Sequence, residues 1–427
     1  MTIKLYIMIL ISCVIFTLNS LAQDESNYHY QDAVFKEEIK SVQAFREGFE
    51  LSYPIYELGT DERLVFKFDD LSGETKNYSY TLIHCDADWN ESFILQSEYL
   101  DGFFDNPVDD YAPSFNTTMT YINYLIPIPN DKVRPTRSGN YVLVVYAGDD
   151  KEDLVLTRRF QVLEPRVEVK GVVKRATYDP FKGDNQEVDF TIYHDNLDIL
   201  NPHDEVKVVI MQNRRWDNAI RGLKPLFIRD KELVYDYDKE NVFQGGNEFR
   251  YFDIRTRRYN GENVLATTFH RPYYHVTLMA DEVRANQKYY DYKEMNGAFV
   301  VESQDPVDDY DTECDYFFVH FSLPLEAQLV GGTVNVFGEL TGWNANKSNE
   351  MTWNYEQATY ELTMLLKQGY YNYQYVYVPS GSKTADAAAL EGSHYETENE
   401  YQIFVYFRGM SDRYDRLVGF QVLRADF

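Results

Sequence analysis

Cysteine is scarce in this chain, with three copies in 427 residues, at positions 13, 85 and 314. No two fall in a C-x-x-C spacing, so a cysteine zinc site and a redox pair of neighbouring thiols are both excluded. Cys85 and Cys314 stand far apart in the sequence and read as two separate buried thiols rather than a bridge. Histidine is also rare, with eight copies. There is no G-x-S-x-G elbow, no H-E-x-x-H, no P-loop and no dinucleotide fingerprint, so neither catalysis nor a cofactor is expected. Positive charge is in short supply: 41 Lys and Arg face 69 Asp and Glu, a formal net charge of −28. That balance argues against nucleic acid and anionic lipid as partners. After residue 22 no apolar run is long enough to cross a bilayer, and no membrane insertion is expected.

Residues 1–22 read as a signal peptide. Lys4 supplies the positive start and Leu5–Leu18 the short apolar run, and Ser20-Leu21-Ala22 forms a small-x-small cleavage site. The mature chain is expected to begin at Gln23, without a lipidated cysteine after the cleavage point, and to be exported and soluble.

What the sequence has in abundance is aromatic residues, 37 Tyr and 27 Phe, together with strand patterns from end to end. Tyr78, Tyr80 and Leu82 alternate with Ser79, Thr81 and Ile83, and Leu64, Phe66 and Phe68 alternate with Val65 and Lys67. Tyr371, Tyr373, Tyr375 and Tyr377 form one tyrosine face. Turn signals such as Gly183-Asp184-Asn185 and Asn260-Gly261 separate the strands, and helical periodicity is scarce. The fold class is therefore all-β, as tandem immunoglobulin-like or early-set β-sandwiches. The linkers Glu164-Pro165 and Ser303-Gln304-Asp305-Pro306 divide the mature chain into sandwiches at 23–165, 166–303 and 304–427.

Between Tyr78 and Phe115 a strand runs into a long loop rich in Asp and aromatic side chains, including Trp89, Phe93, Phe103, Phe104, Tyr111 and Phe115. Aromatic surface on a loop either packs over its own scaffold or meets a partner. Candidate partner-binding residues are Trp89, Phe103, Phe104, Asp109, Asp110 and Tyr111, with self-packing the stronger reading for Trp89. Asp86-x-Asp88 and Asp109-Asp110 could offer oxygens to calcium, but they read better as turn-forming residues that bond to nearby backbone. His270 and His275, five apart on a strand, would face opposite ways. No metal site is expected.

Farther on, Val334–Asn344 reads as a strand followed by a turn that presents Trp343, and Met351-Thr352-Trp353-Asn354 follows. This order resembles early-set sandwich domains, which include glycogen- and starch-binding modules. By that resemblance Trp343 and Trp353 match the tryptophans on which glucan stacks, and the alternative function is periplasmic carbohydrate binding. The continuation departs from those modules, because Tyr375 runs on into Val376-Tyr377-Val378-Pro379 where a D-G turn is usual.

A second resemblance covers essentially the whole mature chain. Its blocks are His84-Cys85-Asp86-Ala87-Asp88-Trp89, Glu98-Tyr99-Leu100-Asp101-Gly102-Phe103, Asp110–Thr117, Ser138-Gly139-Asn140-Tyr141 and Arg413–Gly419. These resemble the periplasmic plug protein of the type IX secretion system, known from Bacteroidota. The resemblance implies a non-enzymatic component that plugs the periplasmic mouth of a large outer-membrane β-barrel translocon and gates protein export. It also implies location in the periplasm, against the outer membrane.

Overall fold

The computed structural model describes residues 30–425 and 427; the expected signal peptide lies outside them. The described chain is all-β, with only single-turn helices between strands. None of its helices is long and apolar enough to cross a membrane.

Strand pairing and core packing resolve three sandwich-like units. In the first, β1 (Ile39–Arg46), β2 (Leu64–Asp70) and β4 (Ile122–Ile128) pair in the order β1-β2-β4, with the short strand Asp110–Pro113 outside β4. The facing sheet is built on β3 (Tyr78–Cys85), β5 (Gly139–Ala147) and β6 (Leu154–Leu163), with Asp105–Pro107 at the outer edge of β3. The alternation in β3 places Tyr78, Tyr80 and Leu82 in the core with Phe66, Phe68 and Tyr141. β5 is apolar on both faces because its outer face is covered too: Val142 and Val144 pack with Cys85 and Trp89.

The second unit opens with β7 (Glu168–Arg175) paired to β8 (Asn185–Tyr193). Its other sheet runs β10-β9-β18-β19, from β9 (Val206–Gln212), β10 (Arg215–Arg221), β18 (Glu400–Phe407) and β19 (Arg416–Arg424). The third unit lies between these halves. One sheet runs β12-β13-β14-β16, from β12 (Val264–His270), β13 (Tyr273–Leu278), β14 (Tyr316–Pro324) and β16 (Thr359–Lys367), and ends on Thr352–Asn354. The other centres on β17 (Gly369–Pro379), flanked by β11 (Arg250–Asp253), Phe299–Val301 and β15 (Gly332–Phe337). Tyr371, Tyr373 and Tyr375 are core residues, and the hydroxyls of Tyr373 and Tyr375 both donate to Asp281 Oδ2, at 2.6 and 2.8 Å.

The expected boundaries at 166–303 and 304–427 are therefore corrected. The third sandwich is inserted into the second, and the chain returns at Glu400 to pair Phe407 with Val206. Ser303–Pro306 is no free linker: Ser303 and Asp305 are buried, and Asp305 bonds to Thr256 and Arg257. A strand pattern tells which face is buried but not which strand it pairs with, and pairing across about two hundred residues leaves no local signal.

The first and third units are joined by a buried charge pair. Lys367, at the end of β16, places its ammonium 2.7 Å from Asp69 Oδ2 on β2; Asp69 is fully buried and Lys367 is 2% exposed. Asp69 also accepts from Tyr316 at 2.6 Å and from Asn123 at 2.8 Å, and Lys367 donates to the Asp311 carbonyl at 2.6 Å. Breaking such a pair leaves a buried charge uncompensated, at a cost of about 3–5 kcal/mol. Lys367→Met is expected to lower the urea midpoint and open the seam to protease. The double variant Lys367→Met/Asp69→Asn should recover most of the loss, and denaturation curves of the three proteins check this.

Candidate partner-facing surface and the seams behind it

The loop after β3 divides into a buried half and an exposed half. Asp86 organises the buried half: its Oδ1 accepts from the backbone N–H of Asp88 and of Asn90, each at 2.9 Å. That turn carries Trp89 in the left-handed region, at φ 65°. Trp89 is 3% exposed and meets Trp216 of β10 edge-on at 5.2 Å, with the Arg159 guanidinium 4.4 Å from its ring. Trp89 thus fills the seam between first and second units and is not a surface anchor, which corrects its place among the partner-binding candidates. Asp88 faces Lys207 and Arg221 of the second unit, at 3.8 and 3.7 Å. The same seam is closed by Asp415, which accepts from Ala87 N–H at 2.9 Å, and by the Tyr406 hydroxyl on Asn140 at 2.8 Å.

His84 lies beneath this turn. Its ring nitrogens meet Ser92 Oγ at 2.8 Å and the Ser138 carbonyl at 3.1 Å, and Tyr99, Tyr141 and Tyr414 surround it. Gly139 follows at φ 140°, and a Cβ there would come within 2.6 Å of His84 Nε2. Blocks far apart in the sequence, around 84, 99, 138 and 414, form one packed device. Cys85 is buried beside it, as Cys314 is in the third unit, and both thiols are free.

The exposed half is different. Phe103 is 68% exposed, and Phe104 and Tyr111 are exposed as well. Phe103 N–H donates to the Lys132 carbonyl at 2.9 Å, and the Lys132 ammonium pairs with Asp109, so the Phe103, Asp109 and Lys132 positions belong to one patch. Thr81 ties a second group to it, donating to the Phe104 carbonyl at 2.8 Å and receiving from Gln96 Nε2 at 3.1 Å. Asp110 and Tyr111 lie on the edge strand beside β4, with the Tyr111 ring 5.6 Å from Tyr124. Two further exposed residues stand outside the partner-binding candidates: Phe93, 90% exposed and noted in the sequence only as one of the loop's aromatics, and Leu95, which sequence reasoning missed. Ser92 and Ile94 are buried while Phe93 and Leu95 point out; an alternation inside an unbroken apolar triplet hides which members face solvent.

Trp343 and Trp353 do not form a shared platform. Trp343 follows β15 and is half-buried, edge-on to Phe337 at 5.7 Å and to Phe249 at 6.0 Å. Its neighbour Asn344 donates to the Asp32 carbonyl of the first unit at 2.8 Å. Trp353 lies on the edge strand of the opposite sheet and packs against Tyr360 at 4.9 Å. Both rings serve packing within the third unit, Trp343 from the turn after β15 and Trp353 from the edge strand of the opposite sheet. Glu187, Asp189 and Asp236 are the one group of His, Cys, Asp or Glu among the described residues that brings three ligand atoms together with the spacing for a metal ion, and the Lys174 ammonium sits 3.0 Å from Glu187 and 2.5 Å from Asp189.

These features define a non-barrel β-assembly of interlocked sandwiches with an apolar and acidic face on its first unit. Residues 39–164 match the family model for the type 9 secretion system plug protein 1st domain. A solved structure, described as a hypothetical protein from Parabacteroides merdae ATCC 43184, is similar over 92% of this chain and 99% of its own, with 37% identity and a TM-score of 0.90. No curated protein matches. The first unit of the chain thus carries the first domain of the type IX secretion system plug protein family.

Burial pushes His84 down from its ordinary 6.5 to about 4. Between those values the unfolded chain takes up a proton that the folded chain refuses, so stability is lost as pH falls from 6.5 toward 4. For Glu391 burial opposes ionisation, but the neighbouring Arg250 and Arg284 charges outweigh it and hold the carboxyl near 2. Its loss therefore lies lower, from its ordinary 4.5 toward 2. Urea midpoints measured from pH 7 to pH 4 are expected to fall, with a shallower slope in His84→Gln.

Proposed function

We propose that this protein is a non-enzymatic plug that occupies the periplasmic opening of the large outer-membrane β-barrel translocon of the type IX secretion system and gates export through it. The match of the first sandwich to the plug family carries this reading. The physical build supports it. A plug must keep its shape against a wide aqueous opening, and buried polar seams lock the three units of this chain together. It must also be displaceable. A surface on which Phe103 and Phe104 alternate with Asp101, Asp105 and Asp109 can seat in a polar mouth without the adhesion of a large apolar face. The signal sequence and the excess of acidic side chains are consistent with a soluble life in the periplasm.

In this reading the exposed half of the post-β3 loop meets the barrel, with Phe103, Phe104 and Tyr111 as anchors and Asp109 and Asp110 at their rim. The double variant Phe103→Asp/Phe104→Asp is expected to fold normally, because both rings are exposed, and to lose about tenfold or more in recovery with the translocon. Affinity purification from envelope extracts reads the recovery. Unchanged recovery places the contact elsewhere on the chain. A strain lacking the protein should admit bulky solutes across the outer membrane; normal sealing in that strain would sink the plug reading.

A further inference from the structure

Three of the eight histidines, His270, His275 and His320, meet on the third unit. His270 and His275 do not lie on one strand, as their spacing implied. They flank the hairpin between β12 and β13, where His270 pairs in register with Tyr273, and their rings stand 5.2 Å apart, edge to face. β13 runs parallel to β14, with His275 opposite Phe318 and Thr277 opposite His320. His275 stacks with Phe318 at 5.1 Å and with His320 at 5.2 Å, the two imidazoles almost parallel at 8°. His275 Nδ1 and His320 Nε2 are 3.0 Å apart. On its other side His320 Nδ1 meets Thr363 Oγ1 of β16 at 2.9 Å.

The proton inventory is informative. A neutral His320 that donates Nδ1–H to Thr363 presents the Nε2 lone pair toward His275, and His275 Nδ1–H then donates to it. If His275 instead carries its proton on Nε2, two imidazole lone pairs converge with no net loss of a proton. A tetrahedral ion with nitrogens at about 2.0–2.1 Å holds neighbouring donors about 3.3 Å apart, so the two rings, which now meet head-on, must turn their lone pairs off the common axis and separate slightly to bind one ion. The ligand atoms of His270, exposed on the adjoining strand, do not stand within metal-ligand spacing of both others, and its ring must swing in to act as third donor. Among the described residues no carboxylate hydrogen-bonds or pairs with these three rings, and imidazole donors select zinc, copper(II) or nickel rather than calcium or magnesium.

We propose that His275 and His320, with His270 as third ligand, form a binding site for a transition-metal ion of the zinc or copper(II) class on the outer face of the third sandwich. Thr363 is its positioning residue, fixing the tautomer and orientation of His320. The site stands on three strands of one sheet, well separated in sequence from the post-β3 loop, and a coordination position left open there is available to water or to a donor group from a partner.

The test is calorimetric titration of the untagged protein, stripped with chelator, against zinc chloride and copper(II) chloride. One ion is expected to bind per chain, with affinity in the micromolar range or tighter. His275→Ala and His320→Ala should each weaken it by about tenfold or more, and Thr363→Val by about tenfold. Copper(II) electron paramagnetic resonance should show imidazole nitrogen coupling that disappears in the double variant His275→Ala/His320→Ala. These side chains are partly exposed, so circular dichroism and melting should confirm that the variants fold. No binding by the folded wild-type protein, or binding and nitrogen coupling undiminished in the folded double variant, would overturn the assignment.

Discussion

The fully buried carboxylate of Asp69 is the constraint from which the arrangement of the molecule follows. A charge that deep must be neutralised by donors brought to it, and the donors come from two units. Asn123 belongs to the same sheet as Asp69, while Tyr316 and Lys367 come from the third sandwich. Neither unit can satisfy its own half of the network. Asp69 alone would be a buried anion, and Lys367 alone a buried cation against the rings of Tyr121 and Tyr316. The pair therefore does more to specify how the units sit than to add net stability. The surrounding seam repeats the pattern, with Asp315 receiving Thr118 and the Cys314 carbonyl receiving Tyr121.

The insertion of the third sandwich into the second strengthens this effect. The chain leaves the second unit after the strand Val242–Gln244 and re-enters it at Glu400, so the third unit is tethered at both ends. The seam to the first unit then closes a ring of contacts: first to second through Trp89, Trp216 and Asp415, second to third through Arg215 on the Ala385 carbonyl, and third to first through Lys367. A ring of three contacts resists hinge motion better than a string of beads. In the proposed plug role, stiffness of this kind would keep the body from being drawn through the opening and hold the exposed loop of the first unit as a fixed surface.

The candidate surface was partly legible in the sequence. The density of aromatic and acidic residues after β3 marked the loop, and Phe103, Phe104 and Tyr111 are exposed there. Trp89 was not separable from them by pattern, because its burial depends on Trp216 and Arg159 arriving from other strands. The tryptophans at 343 and 353 read as a pair because they are near in sequence, whereas one lies in the turn that follows β15 and the other on the edge strand of the opposite sheet. The histidines failed for a related reason: a five-residue spacing means opposite faces on one strand but neighbouring rings across a hairpin.

What the sequence by itself determined was local. Period-two alternation, turn residues and the shortage of helical patterning decided that the chain is all-β, and which side of each strand is buried follows from the same alternation. Short blocks such as His84–Trp89 and Ser138–Tyr141 were enough to mark the family. What only the tertiary structure decided was the partnership of distant segments: the return of Glu400–Phe407 to Val206–Gln212, the joining of Asp69 to Lys367, and the convergence of His270, His275 and His320. Alternation records a side chain's preference for water or core and is written in each strand alone. Pairing and charge neutralisation are properties of two segments together, and no single stretch of sequence carries them.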